Sequence, residues 1–353
     1  MKAVRLVALL IACLILFQTP CSASESPIPS QYIVIYGDTR TDHVAHRRVV
    51  DAIMKVRPTA VFHTGDLVED GLNPNHWAIF NGIISPLIKT ARFYPSLGNH
   101  ENDSRLYFDN FDLPNNERWY SVEVDGIHFI VLDSNSDITK GSEQYQWLEN
   151  DLRNIGREIN FVIAIFHHPP FSTGPHADDQ KGLRKSIVPL FEKYGVDMVF
   201  NGHTHAYERS LFNNIHYIVT GGGGAPLHDH LRTSSHNQVF IKAHHFCGLT
   251  VRDNLLTLSV FDIDLNLVDT VIVDRSQQSR KEEGAMDPLL GWKRAAEAAL
   301  NFPHRSQWVA RYFFISSDSA TMVSAPSSQP AGQIRPPMGR DELKGLENSL
   351  GLV

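Results

Sequence analysis

Cysteine is nearly absent from this chain: 353 residues contain three. Two of them, Cys13 and Cys21, fall within the first 23 residues, so a chain trimmed there keeps only Cys247 and has no internal disulfide framework. Stability must then come from a buried core, and Cys247, in the apolar run Phe246-Cys247-Gly248-Leu249, reads as an inert part of it. Excess positive charge is also missing. With 32 Lys and Arg against 39 Asp and Glu the net charge is −7, which argues against a polyanion-binding surface and a nucleic-acid partner. The apolar run Leu6 to Phe17 is too short for a comfortable membrane span. It follows Lys2 and Arg5 and precedes small residues, with Cys21 and Ala23 suited to the −3 and −1 cleavage positions, so residues 1–23 read as a signal peptide. That implies a secreted or periplasmic protein with no stable membrane span after cleavage. An uncleaved anchor is the alternative; a lipid-attachment box at Leu10-Ile11-Ala12-Cys13 is weaker, because Leu14 to Phe17 carry the apolar run past it.

The remaining composition is that of an ordinary globular domain, 42% hydrophobic and 20% charged, with one unusual balance: eighteen histidines. Residues 24–30 read as a linker. From residue 31 short apolar strands alternate with helical patterns. Tyr32–Tyr36, Ala60–Phe62, Arg92–Leu97, Phe161–Phe166 and Val196–Phe200 are expected strands; Val44–Val56, His76–Lys89, Ser142–Ile155 and Gly182–Tyr194 are expected helices. Asp125-Gly126 joins strands Trp119–Val124 and Ile127–Leu132 in a hairpin. Ile215–Thr220, His245–Arg252, Leu255–Asp262 and Val268–Val273 read as antiparallel strands. The β-α alternation followed by a β-rich part suggests mixed sheets packed together with helices outside. Beyond residue 275 the composition shifts, and 276–353 reads as a tail with one helix expected at about 287–301 and a Ser/Pro/Ala-rich segment, 316–338, expected to be disordered.

Five apolar runs each end in a residue fit to bind metal. Tyr32–Tyr36 leads into Gly37-Asp38, and Ala60–Thr64 into Gly65-Asp66. Arg92–Leu97 leads into Gly98-Asn99-His100-Glu101, Phe161–Phe166 into His167-His168, and Val196–Phe200 into Asn201-Gly202-His203-Thr204-His205. Ligands of open α/β sheets bind beyond the carboxyl ends of the strands, and glycine there lets backbone turn sharply and approach closely. Carboxylate, amide oxygen and imidazole together suit borderline divalent metals, unlike the all-oxygen set of calcium or the thiolates of structural zinc. Each motif alone is commonly a turn or a surface loop; five in order at strand ends are not. Gly221–Gly224 lacks the Lys-Ser/Thr and following helix of a phosphate cradle, and reads as a flexible loop bordering the cleft.

This series, Asp38, Gly65-Asp66, Gly98-Asn99-His100-Glu101, His167 and Gly202-His203-Thr204-His205, resembles that of calcineurin-like metallophosphoesterases over residues 31–275. The run from Gly202 through Ala206-Tyr207-Glu208-Arg209-Ser210 is especially similar to purple acid phosphatases. The resemblance implies a four-layer α/β-β/α sandwich of two mixed sheets with two metal ions (Fe, Zn or Mn) at the strand ends. Asp66 would bridge them; Asp38 and His205 would hold the first, and Asn99, His167 and His203 the second. His100 would face the phosphate and leaving group, with His176 also facing substrate. Two positions depart from the pattern. Arg40 stands where the superfamily has histidine, and Glu69 where the purple enzymes have tyrosine, so the first metal lacks a ligand and no purple colour is expected. Glu69, His43, His46 or water would fill the gap, and Arg40 would contact phosphate or support Asp38. The implied reaction is in-line attack of metal-activated hydroxide on a small phosphomonoester, His100 assisting the leaving group. A phosphodiesterase or nucleotidase on the same site, and a non-catalytic metal- or phosphate-binding protein, are the alternatives.

Overall fold

The computed structural model describes residues 32–176 and 178–276. The expected signal peptide, linker and tail, including the helix at 287–301, lie outside these residues.

Two mixed sheets face one another. The first is six-stranded, ordered β13-β12-β11-β1-β2-β3, where β1 is Tyr32–Tyr36, β2 Pro58–His63, β3 Arg92–Pro95, β11 His245–Arg252, β12 Leu255–Asp262 and β13 Leu267–Asp274. The second is seven-stranded, ordered β10-β8-β9-β7-β6-β5-β4, with β4 Tyr120–Val124, β5 Ile127–Val131, β6 Phe161–Ile165, β7 Met198–Asn201, β8 Tyr207–Phe212, β9 Ile215–Thr220 and β10 Asn237–Ile241. In the first sheet β1, β2 and β3 are parallel and β11 joins β1 antiparallel. In the second, β5, β6, β7 and β9 are parallel.

Side-chain alternation along the strands builds the layers. Ile33 and Ile35 of β1, Phe62 of β2, Phe129 of β5 and Ile163 and Ile165 of β6 share the core between the sheets. There Phe62 stacks on Phe129 with ring centroids 4.2 Å apart, a direct contact from sheet to sheet. The opposite face of β1, Tyr32, Val34 and Tyr36, packs on Val49, Val50 and Ile53 of helix α1 (His43–Lys55) and on Ile83 and Leu87 of α2 (Pro74–Ile88). The opposite face of β6, Val162 and Ala164, with Phe166 just beyond it, packs on Leu148 and Leu152 of helix α4 (Glu143–Arg153) and on Phe191. A short helix α3, Arg105–Asn110, lies between β3 and β4 in the chain. The expected four-layer α/β-β/α order is therefore the observed one.

Local chemistry sets the boundaries. Asp42 caps α1 by accepting from Val44 N and Ala45 N, and Asn73 caps α2 ahead of Pro74. Asp125 (φ 51°) and Gly126 (φ 77°) both take the left-handed conformation that a two-residue hairpin turn demands. Three expectations change. The helix expected over 182–194 is two, α5 (Leu183–Ser186) and α6 (Val188–Tyr194), because Pro189 has no amide hydrogen to offer and its ring clashes with the carbonyl of Lys185. Strand β9 is antiparallel only to β8; it lies parallel to β7. Gly221–Gly224 is not slack: all four glycines are buried, and Gly223 N and Ala225 N donate to the carbonyls of Gly37 and Asp38 at 2.8 Å. Cys247 is buried as expected, its thiol pushed up to about 12 by that burial.

Candidate metal centre

The site forms where the carboxyl ends of β1, β2 and β3 meet those of β6 and β7. Three of its residues have a backbone conformation that non-glycine residues seldom adopt: Asp38 (φ 56°), Asp66 (φ 55°) and His203 (φ 68°). Hydrogen bonds hold each one in place. Asp38 N donates to Gly65 O at 3.0 Å and Thr39 N to Asp66 O at 3.0 Å, locking the first two turns together. His203 N donates to both Asp38 oxygens, at 3.0 and 3.1 Å. Glycine is needed where backbone crowds these carboxylates. A Cβ on Gly98 would stand 2.2 Å from Asp66 N, and one on Gly202 2.4 Å from Asp38 Oδ2.

Four acceptors converge at one point. His167 Nδ1 lies 2.9 Å from the Thr64 carbonyl, so its proton sits there and Nε2 presents a lone pair. That Nε2 is 3.0 Å from Asn99 Oδ1, 3.2 Å from His203 Nδ1 and 3.4 Å from Asp66 Oδ1. His203 in turn commits its Nε2 hydrogen to Gln180 Oε1 at 3.0 Å, leaving Nδ1 bare. Lone pairs facing one another at such distances repel unless a cation lies among them, and this nitrogen-oxygen set fits a borderline divalent metal. A second group is Asp38, Asp66 and His205, all buried, with ligand atoms within 4.8 Å of one another. His205 donates from Nδ1 to the Pro226 carbonyl at 2.8 Å and turns Nε2 toward Asp38 Oδ1, 3.6 Å away. A carbonyl oxygen holding the far nitrogen of each imidazole, from the backbone for His167 and His205 and from the Gln180 side chain for His203, is the usual way a protein orients metal-binding histidine.

Burial tunes the charge states in the same direction. It lowers the imidazole of His167, that of His203 strongly, and that of His205 to about 3, with the neighbouring imidazoles adding to the last two effects. Neutral imidazole is the form that binds metal. Burial raises Asp38, and repulsion from Asp66 raises it further, a clash between carboxylates that a cation relieves.

The other expected residues fall around these groups. His100 donates its Nδ1 hydrogen to the Glu69 carbonyl at 2.6 Å and places Nε2 3.8 Å from Asp66 Oδ2, facing the centre without joining either group. The His176 ring lies 3.8 Å from that of His203. Arg40 contacts Asp66 and Glu69, and the Glu69 carboxylate accepts from Arg40 and Thr41. His46 is buried against Phe80 and Tyr36, away from both groups, and neither it nor His43 belongs to them.

Several contributors went unread in the sequence. Glu101, wholly buried, accepts from Gly98 N, Asp66 N and Leu67 N at 2.6, 3.0 and 2.8 Å and so fixes the turn carrying Asp66. Its carboxyl is raised to about 8 by burial and by Asp66. His168 groups with His167 and His203, its Nδ1 held at 2.9 Å from the Ser134 hydroxyl. His228 stacks on His205 at 3.9 Å and accepts from His205 N. The Tyr207-Glu208-Arg209 run proves to be bracing. Tyr207 and Arg209 both bond Asp269 of the other sheet at 2.7 Å, while Glu208 accepts from Thr173 N in the loop leading to His176. A polar cleft lined by Asn102, Arg118, Asn135 and Ser136 opens beside Asn99.

Comparison with known proteins agrees with this geometry. A family model described as Calcineurin-like phosphoesterase matches residues 32–207. Probable purple acid phosphatase 20 of Arabidopsis thaliana is 33% identical over 237 residues, 59% of this chain and 54% of that protein. Among solved structures, a purple acid phosphatase from yellow lupin (Lupinus luteus) seeds aligns with TM-score 0.64 at 22% identity, covering 69% of this chain and 53% of that one. The anchor in the inner membrane complex of Plasmodium aligns with TM-score 0.57 at 17% identity, covering 69% and 88%. The chain spans about half the length of the curated relatives it matches. With the motif series, the two-sheet architecture and the converging donors all in place, the chain belongs to the calcineurin-like phosphoesterase family.

Proposed function

We propose that this chain is an exported metal-dependent phosphatase that hydrolyses small phosphomonoesters. The observation that carries the reading is the convergence of His167 Nε2, His203 Nδ1, Asn99 Oδ1 and Asp66 Oδ1 with no proton to bridge them. Asn99, His167, His203 and Asp66 would hold one cation, and Asp38, Asp66 and His205 the other. Bound there, divalent cations supply positive charge for the phosphoryl oxygens and a hydroxide nucleophile near neutral pH. The protein supplies position and a proton. Glu101 and Gly98 fix Asp66, and the Thr64 and Pro226 carbonyls fix the rings of His167 and His205. His100 holds its ring through the Glu69 carbonyl, so protonated Nε2 would face the departing alkoxide. The leaving group would lie in the polar cleft beside Asn99. Export rests on the charged and apolar pattern of residues 1–23.

Purified protein reconstituted with iron, zinc or manganese is expected to hydrolyse p-nitrophenyl phosphate faster than its bis-ester. The reverse preference would make it a phosphodiesterase. A non-catalytic reading draws on the Arg40 and Glu69 departures and on the shared fold of the Plasmodium anchor. Bound metal with no turnover of either ester, under every metal, would select it.

A further inference from the structure

The two groups differ in one respect: a charge of the chain's own already stands in the first. The Arg40 side chain is 18% exposed, with Nε 3.5 Å from Asp66 Oδ2 and Nη2 3.5 Å from His205 Nε2. Nη1 donates to Glu69 Oε2 at 3.0 Å, and the Thr41 hydroxyl donates to the same oxygen. Arg40 Nε is buried and has no hydrogen-bond partner, so it is held there by charge and by the Glu69 tether. Since His205 Nδ1 donates to Pro226, the lone pair that Nη2 meets on Nε2 is the one a metal would take. The polar contacts of the Arg40 side chain among the described residues are to Thr41, Glu69, Asp66 and His205; none is to Asn99 or His203.

A guanidinium does not lose its proton at ordinary pH. Two positive charges a few ångströms apart in a buried cluster repel strongly. Loading a cation among Asp38, Asp66 and His205 therefore requires the Arg40 head to leave Asp66 and His205. The second group meets Arg40 only through the shared Asp66, whose Oδ2 faces the guanidinium while its Oδ1 faces His167. Asn99 Oδ1 and the bare nitrogens of His167 and His203 turn lone pairs into that position.

We propose that Arg40 is a tethered competitor for the first cation position, so that the two positions of one centre differ in affinity, Asn99–His167–His203 binding tightly and Asp38–His205 weakly. Glu69 is the residue that positions this competitor, its Oε2 accepting from both Arg40 and Thr41. The inference rests on the metal-centre reading above but not on turnover, so the two fail separately: a protein inactive on every ester yet showing this binding pattern would refute the phosphatase and keep the competitor.

The test is calorimetric titration of chelator-treated protein with Mn²⁺, with metal content checked after dialysis. Wild type is expected to bind one equivalent tightly and a second at least about tenfold more weakly. Arg40→Met, which keeps the aliphatic stem and removes the charge, is expected to strengthen the second equivalent at least about tenfold and leave the first unchanged. Two equivalents of equal affinity in the wild type, or an Arg40→Met protein whose second equivalent is unchanged or weaker, would overturn the proposal. Should Arg40→Met not fold, Glu69→Gln cuts the tether and is expected to narrow the gap in the same direction; an unchanged gap there would overturn it equally.

Discussion

The first sheet ends its three parallel strands in oxygen donors, Asp38, Asp66 and Asn99, whereas the second ends β6 and β7 in the imidazoles of His167, His203 and His205. Neither sheet has a mixed set of its own. The nitrogen-oxygen centre exists only when the sandwich closes, and the contact that closes it is the apolar layer in which Phe62 meets Phe129. Metal affinity and folding should therefore be linked, since a donor set split between two sheets is assembled only in the native state.

Removing the one donor that both groups share should have the largest effect. Asp66→Ala is expected to strip metal and abolish turnover together, read by metal analysis beside an ester assay; retention of either would break the bridging assignment. Next is a change that spares the donors of both sheets. His100→Ala is expected to keep its metal and lose about 10²–10⁴-fold in turnover, and unchanged activity would remove His100 from the reaction. A cut between the sheets comes third. Phe62→Ala is expected to cost about 3–5 kcal/mol in denaturant unfolding. Saturating metal at about a hundred times its dissociation constant should return roughly 2.7 kcal/mol. No recovery on adding metal would uncouple the centre from sandwich closure.

The smallest effect is on pH and concerns the helix side of the first sheet. Burial lowers His46 to about 3, below its ordinary value of 6.5. A base whose folded value is depressed is protonated mainly in the unfolded chain, so stability is full above 6.5 and falls as pH drops toward 3. This group alone removes up to about 1.4 kcal/mol per pH unit there. His46→Phe, which keeps a ring against Phe80, should lose less stability between pH 6.5 and 4.5 than the wild type. An equal loss would show that His46 is not the group being protonated.

What the sequence showed and what it hid divide along the same physical line. Each donor could be read because it follows its own strand within a few residues, and all but His167 carry a glycine with them, as Gly37-Asp38 and Gly202-His203 do. The sheet-end placement followed from the β-α alternation. Residues whose purpose depends on a distant partner could not be read. Glu101 stands beside a recognised donor, but its role is set by the amides of Asp66 and Leu67, 35 and 34 positions away. Arg40 and Glu69 were visible as departures from a pattern, yet only folding shows that they are partners. Tyr207-Glu208-Arg209 could be read only as part of a resemblance; Asp269, which two of them grip, is about sixty residues on. Strands β8 and β10 were missed for a related reason: they carry polar residues whose partners lie on the neighbouring strand, Arg209 bonding Gln238 and Glu208 accepting from Asn237.

The most direct test of the central claim is anomalous diffraction at the manganese edge from crystals of the protein soaked in Mn²⁺. A peak within coordination distance, about 2.0–2.3 Å, of Asp66 together with Asn99, His167 and His203 is predicted. Donors from both sheets would then share one ion. A crystal with no peak there, or one whose ion touches residues of a single sheet, would contradict it.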